Sequence, residues 1–453
     1  MPTDTNEAPW EVVEQLVASR DAAGLSDYLD DLGPSETARA ISRLDETCRN
    51  DLLILLDPRD AAEVIEDVSD AQAVELIEDL PADRAASIVD QMPSDEQADL
   101  LGDLDEEDAE EILREMTPDE ARTVRVLMTY EPDSAGGIMV TEYLRYGQNA
   151  TVEDVTRDLA QHREQYARYD IQYIYVIDDA SRLVGVLPLR ELLFAPHAAP
   201  LRELMITDPL SVPATASLED LENFFDQYDL FGVSVVDAGR QLVGVVLRSD
   251  VEEAAADRTT RQVLGLSGIV GGEELRSMPV MVRSGRRLSW LSINVVLNLV
   301  AAGVIAAYQD TLEAAIALAV FLPMISDMSG CSGNQAVAVS MRELTLGLIR
   351  PNELLRVMLK EASVGLINGI ALGLLLGGLA MLWKSNPWLG VVVGGALAVN
   401  TVVAVTMGGL LPLLLKRLRL DPALVSGPIL TTITDMCGFF IVLSMATTMI
   451  EKL

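Results

Sequence analysis

Asp435 stands in the run TTITDMCGFF, near the middle of an apolar stretch from Ala423 to Ile450. A carboxylate at membrane depth is costly, and such acids generally mark an ion path. Thr431 lies one helical turn before Asp435 and Gly427 one turn before that, so the three share a face. Gly427 and Pro428 are expected to bare carbonyls near the start of the same helix. One acid with hydroxyls and carbonyls makes a hard-oxygen site. That suits Mg2+, which keeps several waters and accepts few direct carboxylates. A single Asp is thin for a divalent ion, but two copies across a dimer axis would supply two charges and a central pore. Asp327, in MISDMSGCSGNQ, is the second candidate, with Ser329, Asn334 and Gln335 as further oxygens. Pro323, Gly330 and Gly333 predict a broken helix there, which membrane depth tolerates only when it lines a cavity or is buried in protein. For both acids the competing reading is a carboxylate hydrogen-bonded inside a helix bundle.

The remaining acids crowd into the first part of the chain. The net charge of the 453 residues is −37. Residues 1–282 carry −40 and the rest +3. An acidic half of this size argues against nucleic acid, whose phosphates need a basic footprint, and favours cations. Salt adaptation is a partial alternative, since every basic residue before Lys360 is Arg. Apposed in a dimer, such halves should repel each other, and divalent ions that bridge carboxylates would offset the repulsion. The candidates for bridging are Asp226, Asp229, Asp250, Glu252, Glu253 and Asp257. Cys48, Cys331 and Cys437 form no disulfide framework, and with His162 and His197 the only histidines a zinc site is not expected. No nucleophile–base constellation suggests an enzyme.

Those residues need elements to hold them. Five apolar stretches, about Trp290–Tyr308, Ala314–Val339, Ala362–Trp383, Leu389–Leu415 and Ala423–Ile450, reach the length a bilayer requires. Arg283, Arg286 and Arg287 precede the first. Arg342, Arg350, Arg356 and Lys360 follow the second, and Lys416, Arg417 and Arg419 follow the fourth. The opposite loops are nearly free of basic residues, so the acidic half should be cytosolic and the C-terminus outside. The first ten residues lack a signal-peptide pattern, and insertion is expected to rely on these later helices.

Upstream, residues 33–128 run in units of about twelve, each opening with Asp, Ser, Thr or Pro and carrying aliphatics at its eighth and twelfth positions. Asp57–Val68 through Thr117–Met128 show this best. Two-turn helices of this kind must stack into a solenoid to share a core. MVTEYLRYGQNATVEDV, from Met139, then reads against MITDPLSVPATASLEDL, from Met205. Each copy continues into two strands, Tyr173–Ile177 and Leu183–Leu187, then Val233–Val236 and Leu242–Leu247. Thr151 and Ser217 are expected to cap helices, with Asp154 and Asp220 in capping-box position. This tandem resembles a pair of CBS domains. That resemblance implies an adenine nucleotide such as ATP as ligand. The second copy keeps the signature acid at Asp250 but has Leu247 where a hydroxyl is expected, and the first has Pro188 and Glu191, which weakens the nucleotide reading. Asp250–Leu264 reads as a connecting helix ended by Gly265, Gly268, Gly271 and Gly272.

Taken in order, the repeat, the AGG segment at Ala135-Gly136-Gly137, the CBS pair, the connecting helix and five spans resemble the MgtE family of magnesium channels. DPALVSGPILTTITD, Asp421 to Asp435, is close to that family's pore signature. The resemblance implies a multidomain membrane protein. It would have a helical domain over 1–138, CBS modules over 139–196 and 197–249, a plug helix and linker over 250–282, and a pore domain over 283–453. It implies a homodimer in a prokaryotic cell membrane, with Asp435 of both copies holding hydrated Mg2+. Thr431 and Gly427 would line the pore and Asp421 would lie at its cytosolic mouth. Cytosolic Mg2+ would bridge the acidic domains and close the channel, with Gly136 among the sensing residues. Coupled transport and passage of Co2+ or Mn2+ are the alternatives. Gly427 and Thr431 replace the Asn and Ala common in relatives. Asp327 and Cys331 stand where Gly and Asn are common, and Thr259-Thr260 stands where the plug helix tends to carry Glu-Asp.

Overall fold

A computed structural model describes residues 8–167, 169, 171–266, 268–269, 280–418 and 420–453. Gly271, Gly272 and Arg419 lie outside the described residues. The chain forms two compact units, the first ending at Thr259 and the second running through Met278–Leu453.

The first unit begins with short helices. The twelve-residue units become Pro58–Asp67, Asp70–Glu78, Ala82–Val89, Ser94–Asp103, Glu106–Glu115 and Pro118–Leu127. Their N-caps are Asp57, Ser69, Pro81, Pro93, Asp105 and Thr117. Asp57 accepts from the Arg59 N–H and Thr117 from that of Glu120, satisfying donors a helix start leaves free. Helices two apart stack on one another: Pro58–Asp67 on Ala82–Val89, and Ser94–Asp103 on Pro118–Leu127. This two-row solenoid buries the repeat aliphatics from Val64 and Val68 to Ile112 and Met116. Met128 departs at 36% exposed, because it closes the last repeat and no further unit covers it.

The CBS pair forms two sheets. In one, β1 (Leu144–Gly147) lies parallel to β2 (Tyr173–Ile177), which pairs antiparallel with β3 (Leu183–Pro188), itself antiparallel to β4 (Ile206–Thr207). In the other, β5 (Ser211–Pro213) is parallel to β6 (Gly232–Val236), which pairs antiparallel with β7 (Leu242–Leu247). Each copy lends the other an edge. Ile206 pairs with Val186, and the segment entering the first copy bridges Val140 to Val245. The equivalent methionines, Met205 and Met139, press on Gly185 and Gly244, where a Cβ would come within 2.2 and 2.5 Å of their sulfurs. A Cβ at either position would displace the methionine side chain. The two capping boxes form as expected at Thr151 and Ser217. The connecting helix runs Arg248–Leu266, and Gly265 sits in its last turn rather than ending it. Gly268, at φ +78°, makes the turn that follows.

In the second unit, five helices are long and apolar enough to cross a membrane: Val280–Ala307, Ile316–Thr345, Leu354–Lys384, Pro387–Arg417 and Pro422–Thr448. The third and fourth pack closest. A Cβ at Gly369, Gly373 or Gly377 would fall 2.5–2.7 Å from a carbonyl oxygen of Ala398, Gly394 or Gly390. Two sequence expectations fail here, one of them in part. The second span is interrupted at Phe321, two residues before Pro323, where a 3-10 helix over Ile316–Val320 gives way to an α-helix, but it is not broken at Gly330 or Gly333. One α-helix runs Leu322–Thr345, with Pro323 in its first turn, where a missing N–H costs nothing. Gly333 serves packing instead, lying 3.0 Å from the Ala404 carbonyl at its would-be Cβ. Nor are the Gly427 and Pro428 carbonyls bare, since the Thr431 and Thr432 hydroxyls donate to them at 3.0 and 2.8 Å.

Candidate functional site

The fifth span places Asp435 in the bundle at 9% exposure. A carboxylate this deep needs a partner, and it has one: the Ser326 hydroxyl of the second span donates a hydrogen bond to its Oδ1. Thr431 is exposed one turn earlier, and open space faces Gly427. Asp327, adjacent to Ser326 in sequence, is exposed, as are Asn334 and Gln335, whereas Ser329 is buried. Ser326, which sequence reasoning passed over, makes the direct contact with Asp435. A second missed residue is Asn400 of the fourth span, fully buried. Its Nδ2 donates to Ser329 Oγ at 2.6 Å and to the Thr434 carbonyl at 3.0 Å. An amide in the otherwise apolar run VVGGALAVNTVVAV was the signal that could have found it. Asp421 caps the fifth span, accepting from the Ala423 N–H at 2.8 Å.

A separate group of acids collects in the first unit. Burial, then the nearby carboxylate of Asp250, pushes Asp95 up to about 7. Glu96 reaches solvent, yet the protein packed around it and the carboxylates of Glu66, Asp95, Glu253 and Asp250 push it to about 8. Glu66 is raised to about 7 by partial burial, then by Glu63 and Asp67. Glu253 is raised by burial and by Asp257, Asp250 and Asp70. So the structure brings Asp250 and Glu253 of the connecting helix to solenoid acids that the sequence reading did not single out. Of the other predicted acids, Asp257 adjoins Glu253. Asp226 is exposed. Asp229 and Glu252 sit 3.9 and 4.0 Å from the Arg248 guanidinium. Gly136 is buried, its N–H given to the Ala214 carbonyl at 2.8 Å and its α-carbon under the Tyr130 ring. A cavity of about 970 Å³ adjoins the acids, with Tyr143, Tyr173, Tyr175 and Leu247 among its lining. Among the described residues, no three His, Cys, Asp or Glu side chains converge to hold a metal ion.

Comparison with known proteins decides the family. Residues 322–445 match the MgtE divalent cation transporter model, residues 32–133 the MgtE intracellular N domain, and residues 135–198 and 201–257 the CBS domain. The magnesium transporter MgtE of Bacillus subtilis is 30% identical over 332 residues, 73% of each chain. That of Thermus thermophilus is 34% identical over 330 residues, 72% of each. This chain belongs to the MgtE family of magnesium transporters. It is accordingly a multi-pass membrane protein, with five apolar spans following its N-terminal solenoid and CBS pair. The crystal structure of the soluble part of a magnesium transporter matches this chain at 25% identity and TM-score 0.50. It covers 55% of this chain and 98% of that one. The crystal structure of the cytosolic domain of the Mg2+ channel MgtE in complex with ATP aligns at 30% identity and TM-score 0.49, over 54% of this chain and 99% of that one.

Proposed function

We propose that the protein is a homodimeric Mg2+ channel whose ion path runs past Asp435 of both copies. The observation that carries this is an exposed polar face on an apolar bundle. Asp327, Asn334 and Gln335 of the second span and Thr431 of the fifth are exposed on a single chain. Hydrocarbon cannot satisfy such groups, whereas a second copy across a water-filled path can. Asp435, with Thr431 and Gly427 toward the start of its helix, would face that path. Asp421, which caps the fifth span, lies at the cytosolic mouth in this reading.

Closure falls to the acids of the first unit. Cytosolic Mg2+ would neutralise Glu66, Asp95, Glu96, Asp250 and Glu253 together, drawing the connecting helix onto the solenoid. Asp226, Asp229, Glu252 and Asp257 would take further ions or lie near them. Proteoliposome flux tests the channel directly. Mg2+ uptake should proceed without a Na+ gradient, and Asp435→Asn should abolish it while the dimer persists in detergent. Uptake that requires Na+ would replace the channel with a coupled carrier, and normal uptake by Asp435→Asn would remove that residue from the path.

A further inference from the structure

We infer that Asn400 is a positioning residue for Asp435, acting through the backbone of the fifth span and through Ser329 of the second; this rests on Asp435 being the pore acid. Three spans meet at the Asn400 amide. Its Nδ2 holds the Thr434 carbonyl, one residue before Asp435, and the Ser329 hydroxyl, one turn after Ser326. Ser329 in turn donates to the carbonyls of Ile325 and Ser326 at 2.7 and 3.1 Å. Ser326 closes the circuit on the Asp435 carboxylate. The amide thus ties together the two backbone segments that carry the hydroxyl and the acid, and it fixes their separation and rotation.

The site is built for this side chain. A Cβ at Gly438, one turn beyond Thr434, would come 2.7 Å from Asn400 Nδ2 and 3.3 Å from its Cγ, so the fifth span is thinned to glycine where the amide enters. The amide orientation is forced, because only the NH2 group can face a carbonyl. Asn400 Oδ1 is then left buried with no hydrogen-bond donor among the described residues. An unpaired acceptor in a membrane bundle is a cost that an apolar residue would avoid. The amide serves, on this account, through its two donor contacts. Their effect is to commit Asp435 Oδ1 to Ser326 and to offer Oδ2 to the ion's water shell in one fixed geometry. Outer-layer hydrogen bonds that orient a metal-binding carboxylate are commonly worth about 10–100-fold in affinity.

The test is concentration-dependent Mg2+ flux into proteoliposomes made with the full chain. Asn400→Ala and Ser326→Ala should each raise the half-saturating Mg2+ concentration by about tenfold, with Ser326→Thr restoring it. A merely structural role would lower maximal flux through loss of folded dimer and leave half-saturation unchanged, and that outcome overturns the inference. Asn400→Ala removes the unpaired acceptor along with the donors, so the bundle should survive it, and a monodisperse dimer in detergent is the check. If Asn400→Ala does not assemble, Gly438→Ala, which pushes on the amide without removing it, must raise half-saturation instead; an unchanged value there also overturns the inference. Asp435→Asn separates the two ideas. Normal flux in that variant refutes the pore acid itself, whereas its loss beside unchanged half-saturation in Asn400→Ala refutes only the positioning.

Discussion

At the scale of residues, carboxylates are used in two different ways. Asp435 is solitary and held by one hydroxyl, while Glu66, Asp95 and Glu96 crowd one another and are pushed to about 7, 7 and 8. Folding raises the proton affinity of these three above the unfolded value of about 4. Between that value and about 8 the folded state therefore binds more protons than the unfolded state, and stability falls as pH rises through the window. Mg2+ competes with those protons, so its effect should grow as they leave. The increase in unfolding temperature on adding millimolar Mg2+ is expected to be larger at pH 8 than at pH 6, read by scanning calorimetry on the full chain. Equal increases at both pH values would detach Mg2+ binding from these acids. Asp435 stood out in the sequence because a lone Asp in an apolar span violates composition. Ser326 did not, and the polar Asn400 did not reveal its partners, because pairing across spans depends on helix rotation, which no single stretch encodes. Asp95 and Glu96 were hidden for a related reason. In a solenoid rich in acids, only the fold picks out the two that meet Asp250.

At the scale of elements, periodicity carried most of the reading. Aliphatics at the eighth and twelfth positions define a helix face whatever the tertiary context, and the observed caps fall at the first residue of each unit from Asp57 to Thr117. The glycines of the second span were misread because glycine signals a break only when nothing else uses it. Pro323 starts a helix, and Gly333 lets the fourth span approach. Loop charge is also an element-scale signal. Arg342, Arg350, Arg356 and Lys360 join the second and third spans, while Lys384 is the basic residue between the third and fourth. The translocation cost of such clusters argues for Leu453 outside and the solenoid inside. A tag fused at Leu453 should be labelled by an impermeant reagent in intact cells. Labelling only after permeabilisation would invert the topology and put the acidic cluster on the wrong face for a cytosolic sensor.

At the scale of the whole molecule, the charge asymmetry between −40 in residues 1–282 and +3 in the remainder asks for an explanation larger than any site. Two copies of so acidic a half, brought together in a dimer, repel at low ionic strength. Monovalent salt relieves that repulsion by screening, whereas a divalent ion relieves it by bridging specific carboxylates, and the two can be separated at matched ionic strength. If Asp250 and Glu253 bind Mg2+ with the solenoid acids, millimolar Mg2+ should protect the helix Arg248–Leu266 from proteolysis and lower channel current, and NaCl should do neither. Neutralising Asp250 and Glu253 together should weaken both effects in parallel. Thr259 and Thr260 supply no charge to the later part of that helix, so closure should need more Mg2+ than in a relative with acids there. Restoring charge with the double substitution Thr259→Glu and Thr260→Asp should lower the concentration that closes the channel. Protection by NaCl equal to that by Mg2+ would make the acidity a general adaptation to salt and leave the connecting helix without a sensing role.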